Sequence, residues 1–117
     1  MNGKVNILEV LERSAQVWSP QIVGEVNDYD VKATNAAGEY LRHVHEHTDE
    51  IFIGLSGRLY LDLDDRTVTL EPMEVYTVPA GVVHGPRAEP GTRLLFVQPR
   101  GTTQDGTVTG ATGQRSS

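Results

Sequence analysis

Cysteine is absent from the 117 residues, and that absence excludes both a disulfide framework and a thiolate metal site. No basic run exists either: 10 Lys and Arg face 16 Asp and Glu, for a formal charge of −6. Neutralising nucleic-acid phosphates needs clustered Lys and Arg, so a nucleic-acid surface is excluded. No stretch approaches the ~20 apolar residues of a membrane span. The opening M-N-G-K-V-N-I-L-E-V-L-E-R carries charge within its apolar run, unlike a signal peptide. The expectation is a soluble, cytoplasmic protein with neither nucleic acid nor membrane as partner. Its length suits one domain with one core, and 38% hydrophobic residues are adequate for a compact β-domain with a polar end.

Asn6 followed by Glu9 has the spacing of a capping box and predicts a short helix to about Ser14, with Ile7, Leu8, Val10 and Leu11 on hand to pack against the domain. Trp18-Ser19-Pro20 ends that segment. Strands are then expected at 21–26, 29–34, 39–45, 50–55, 58–63, 66–70, 74–78 and 93–98. Gly, Pro, Asn and Asp punctuate them, as in Asn27-Asp28, Ser56-Gly57, Asp64-Asp65 and Glu89-Pro90-Gly91. Short strands at such regular spacing predict an all-β sandwich or barrel. From Gly101 the composition turns to Gly, Thr, Ser and Gln, too polar to offset its ordering entropy. The reading is therefore one domain over 1–106 and a flexible tail over 107–117.

The chemistry concentrates between Gly38 and Gly57. His43 and His45 are one residue apart, so on a strand both project to the same face. A helix would set them about 200° apart and could not focus them on one ion. With Glu50, and with His84 far downstream, they form a candidate ligand set for a divalent transition metal. His47 is read as a loop residue and Asp49 as a turn residue.

These segments resemble the two motifs of the cupin superfamily. His43-Val44-His45, four residues, Glu50, six residues and Gly57 match the first. Pro79-Ala80-Gly81-Val82-Val83-His84 matches the middle of the second, with Met73 and Ala88 standing where its flanking Gly and Asn are expected. The resemblance runs from about Val5 to Gly106. It implies a small jelly-roll β-barrel carrying a short N-terminal helix, with one metal in its wider end, and a homodimer.

Strand parity extends the reading. If His43 and His45 point inward, so do Leu41 and Glu39; with Glu50 inward, Phe52 follows. On the last strand either Leu94, Phe96 and Gln98 or Arg93, Leu95 and Val97 face the cavity. Leu41, Phe52, Phe96 and Gln98 are the candidate pocket residues, and Glu39 and Tyr76 the candidate acid–base groups, with ordinary packing as the alternative for each. Three imidazoles and one carboxylate leave positions open on the ion, as reactive sites do. The resemblance to cupin dioxygenases implies a metal-dependent oxygenase or oxidase acting on a small oxygen-bearing molecule. An isomerase or lyase and a non-catalytic sugar- or carboxylate-binding module are the alternatives. Iron is the first choice of metal; manganese, nickel, zinc and copper suit the same donors.

Overall fold

The computed structural model of the chain describes residues 3–103 and 106–108. Helix α1 (Ile7–Arg13) begins where the capping pair places it: the Asn6 side chain accepts from the Glu9 amide at 3.0 Å. Among the described residues nine strands follow: β1 (Gln21–Val26), β2 (Tyr29–Glu39), β3 (His43–Val44), β4 (Glu50–Ser56), β5 (Leu59–Asp62), β6 (Thr67–Leu70), β7 (Val75–Val78), β8 (Gly85–Pro99) and β9 (Thr107–Val108). All of their pairings are antiparallel. The all-β barrel with one short helix is thus the architecture found.

Two strands are longer than their turn residues suggest. β2 runs through Asn35-Ala36-Ala37-Gly38, which reads as a loop, by way of a register shift between Ala36 and Gly38. β8 runs through Glu89-Pro90-Gly91 and becomes the organising strand. Arg87, Ala88 and the run from Thr92 to Pro99 pair with β2 on one edge. The other edge takes β5 against Gly85–Ala88 and β4 against Arg93–Val97.

The strand expected over 39–45 is broken. β2 stops at Glu39, the chain turns through Tyr40–Arg42, and β3 resumes at His43. β9 pairs with β3, setting Val108 opposite His43 and Thr107 opposite Val44. Of the tail expected over 107–117, residues 109–117 lie outside the described residues.

Alternation along the strands divides the apolar residues into two clusters. Inside the barrel, Phe52, Leu59, Leu61, Leu70, Val78, Leu94 and Phe96 pack together. Outside it, Leu11 of α1 seals against Val23 and Ala33 of β1 and β2. Burying a Leu in this way contributes about 1.5–3 kcal/mol. Among the described residues, no helix is long and apolar enough to cross a membrane.

Gly57, at the β4–β5 turn, has φ +72°, and a Cβ there would lie 2.4 Å from Thr92 Oγ1 and 2.6 Å from Thr92 Cα. Gly38 has φ +75° with nothing within 4 Å of its Cβ position. Gly57→Ala should therefore cost about 2–4 kcal/mol in urea unfolding, from backbone strain plus overlap. Gly38→Ala, with strain alone, should cost about 1 kcal/mol.

Candidate metal centre

His43 and His84 are joined backbone to backbone: each amide donates to the other's carbonyl, at 3.0 and 2.9 Å. The Gly81 amide donates to the His45 carbonyl at 2.9 Å. These three bonds stitch the Pro79–His84 segment to the His43–His45 segment across some forty residues of intervening chain. Glu50 enters from the first residue of β4. All four side chains are buried, and one candidate ligand atom from each lies within 4.8 Å of the others.

Orientation within the cluster is set by backbone carbonyls. His43 Nδ1–H donates to the Leu41 carbonyl at 2.7 Å, and His84 Nδ1–H donates to the Val82 carbonyl at 3.0 Å. A carbonyl only accepts, so each Nδ1 carries the proton and each Nε2 keeps its lone pair. One carboxylate oxygen of Glu50, Oε2, accepts from Gln98 Nε2. The other, Oε1, lies 3.3 Å from His84 Nε2 and 3.5 Å from His45 Nε2.

Buried polar atoms normally find partners. Here His45 Nε2, Glu50 Oε1 and His84 Nε2 have no hydrogen-bond partner among the described residues. Ligand atoms around a first-row ion at about 2.1 Å can be no more than about 4.2 Å apart. The 4.8 Å spread needs only a slight contraction to match. The donor set, the orphaned atoms and the spacing all fit one divalent transition metal.

Burial also acts on the protonation of two of the imidazoles. Burial, reinforced by His84 and His45, lowers the pKa of His43 to about 4. His45 is also lowered, by burial first and then by His84 and Lys32, with Glu50 opposing. Both rings are therefore neutral at pH 7, the form that ligates.

Beside the cluster lies a cavity of about 30 Å³ whose walls include Trp18, Tyr40, His43, Glu50, Phe52 and Phe96. That is room for about two waters before side chains move. Phe52 and Phe96, paired across β4 and β8, stack with ring centroids 6.1 Å apart. Trp18 and Tyr40 form the facing wall, 5.3 Å centroid to centroid. Trp18 is fixed by its own amide, which donates to Asn35, and by its indole N–H, which donates to Ala37.

The structure brings His43, His45, Glu50 and His84 together and places Phe52, Phe96 and Gln98 beside them. On β8 it is Leu94, Phe96 and Gln98 that face inward and are buried. Glu39 and Leu41 do not share the inward face of His43, because the chain leaves strand geometry at Tyr40–Arg42. Glu39 is exposed and lines a separate depression with Tyr60 and Arg87. Leu41 is half-buried and contributes its carbonyl to His43. The Tyr76 hydroxyl accepts from Arg66 at 3.2 Å, and its side chain lines another depression with Val82 and Val83. His47 and Asp49 are exposed, and Asp49 accepts from the Ala80 amide at 2.8 Å, as a turn residue does. Trp18, Tyr40 and Thr34 line the cavity without having been expected there.

Comparison with known proteins agrees with this geometry. A family model described as the cupin domain matches residues 32–97, which hold all four clustered residues. The uncharacterized protein YdbB of Bacillus subtilis (strain 168) is 32% identical over 99 residues, covering 84% of this chain and 88% of its own. A cupin-2 domain containing protein from Shewanella frigidimarina NCIMB 400 superposes with TM-score 0.79 at 35% identity, over 82% of this chain and 94% of its own. Hydroquinone 1,2-dioxygenase from Sphingomonas sp. TTNP3 superposes with TM-score 0.73 at 22% identity, over 80% of this chain and 31% of its own, a likeness of fold alone.

Because the pKa of His43 is lowered on folding, the unfolded chain takes up the proton first as pH falls. The stability of the metal-free protein should be full above pH 6.5 and fall progressively to about pH 4. Below that the folded ring is protonated as well, and this group contributes no further loss. The drop should be on the order of 3 kcal/mol. Urea unfolding at pH 7.5, 5.5 and 4 measures it, and His43→Asn should remove this part of the slope, leaving the part of the same sign that His45 contributes.

Proposed function

The chain belongs to the cupin family, and from that membership we propose that it is a metal-dependent enzyme acting on a small oxygen-bearing organic molecule, of the dioxygenase or oxidase type. In this reading His43, His45, Glu50 and His84 hold one divalent transition metal per chain. Iron is the first choice, and manganese, nickel, zinc and copper suit the same donors. The observation that carries the reading is the set of orphaned, converging atoms on His45, Glu50 and His84 beside a cavity walled by aromatic rings. When bound, such an ion supplies Lewis acidity and, if iron, dioxygen activation.

The chain's own residues supply the rest. The Leu41 and Val82 carbonyls hold His43 and His84 in the tautomer that presents Nε2. Glu50 brings the one negative charge of the cluster. Phe52, Phe96, Trp18 and Tyr40 exclude water and select a ligand of modest size. Isomerase or lyase chemistry ranks second, because it requires a base beside the substrate and both Glu39 and Tyr76 line other depressions. A sugar- or carboxylate-binding module without chemistry is the remaining alternative.

Elemental analysis after anaerobic loading with iron, followed by oxygen uptake, tests the proposal. About one metal per chain, with oxygen consumed on adding candidate phenols, thiols or diketones, is the expected result. Metal without oxygen uptake would move the assignment to isomerase or lyase chemistry or to a binding module. His84→Ala should lower metal stoichiometry well below one per chain while the circular dichroism of the barrel is kept; full stoichiometry would remove His84 from the ligand set.

A cytoplasmic homodimer is the form proposed for this enzyme. Support for pairing comes from the outer face of the sheet, where Val75 is 60% exposed directly opposite the half-buried Ile53. Apolar area of this kind is a common association surface. Sedimentation should give a dimer, and Val75→Glu a monomer with unchanged circular dichroism.

A further inference from the structure

A row of polar side chains crosses the inside of the barrel, and ligand-holding alone does not explain it. Lys32 on β2, Gln98 on β8 and Glu50 on β4 stand on three strands that are neighbours in the sheet. Gln98 is fully buried. Its Oε1 accepts from Lys32 Nζ at 2.9 Å, and its Nε2 donates to Glu50 Oε2. An ammonium only donates and a carboxylate only accepts, so one orientation of the amide satisfies both neighbours and the flipped one satisfies neither.

A carboxylate has two equivalent oxygens, and nothing in Glu50 itself decides which of them faces the imidazoles. Gln98 decides it by engaging Oε2. Oε1 is left without a hydrogen-bond partner, 3.3 and 3.5 Å from the Nε2 atoms of His84 and His45. We propose that Gln98, itself oriented by Lys32, is a positioning residue that restricts Glu50 to one metal-facing oxygen. It thereby sets the affinity of the centre and keeps Glu50 from occupying a second position. The inference rests on the metal reading above.

The test uses the full-length, metal-stripped protein titrated with cobalt(II), followed by visible absorption and by competition with a chromophoric chelator. Gln98→Met should bind cobalt about 10- to 100-fold more weakly, with an altered absorption spectrum. Lys32→Met, a change at a half-buried position, should shift affinity and spectrum in the same direction by less, and Lys32→Arg, which keeps a donor, should restore both. A residue serving only as internal packing would leave the cobalt spectrum unmoved. Wild-type affinity and spectrum in Gln98→Met and Lys32→Met would overturn the proposal. Should Gln98→Met fail to fold, the two Lys32 variants decide by the same criteria. A wild-type chain that binds no cobalt would overturn the metal reading and this inference with it, a result distinct from bound cobalt that ignores Lys32 and Gln98.

Discussion

Glu50 is a carboxylate with 3% of its surface exposed, inside a barrel whose apolar core is Phe, Leu, Val and Ala. An ionised carboxyl in such a place is costly by several kcal/mol unless its oxygens are engaged. One oxygen is engaged by Gln98, and the other is turned to two imidazole Nε2 atoms with no hydrogen-bond partner among the described residues, so the interior is arranged around this group and leaves one of its oxygens unsatisfied. β4 must lie beside β8 for Gln98 to reach it. The His43–His84 bridge must close for the rings to meet it. A neutral His43, in turn, avoids adding a positive charge that its own burial would penalise.

The walls around that point are fixed by different means. The His43 and His84 imidazoles are locked by backbone carbonyls, and Phe52 and Phe96 by the ladder that pairs them. The opposite wall comes from outside the sheet. Trp18 sits at φ +54° on the connection between α1 and β1, tied by two hydrogen bonds to β2. One side of the cavity is therefore strand, and the other is a connection held against β2 by those two bonds.

Much of this was legible before any coordinates. The spacing of His43, His45 and Glu50 needs only the two-residue period of a strand, and period two also picks out Phe52. What parity could not supply was the end of its own validity. Nothing in Glu-Tyr-Leu-Arg announces that the strand stops at Glu39, so Glu39 and Leu41 were carried inward with His43. Turn chemistry misled in the other direction: Asn35–Gly38 and Glu89–Gly91 carry loop residues, yet the long β2–β8 pairing absorbs them. Trp18 and the Lys32–Gln98 contact depend on pairings between residues 17 to 66 positions apart, which local patterns do not encode. The choice between the two faces of the last strand had the same origin, since only the partner strands decide which face is inside.

β8 has a consequence for how the molecule comes into being. It is the shared neighbour of β2, β4 and β5 and follows all of them in the chain, so the barrel cannot close until β8 itself has been made. Contacts over such separations form slowly, because their loop entropy is lost before their burial is gained. During that interval His43, His45 and Glu50 are solvated without His84 or Gln98. The four clustered side chains therefore meet only in the closed barrel.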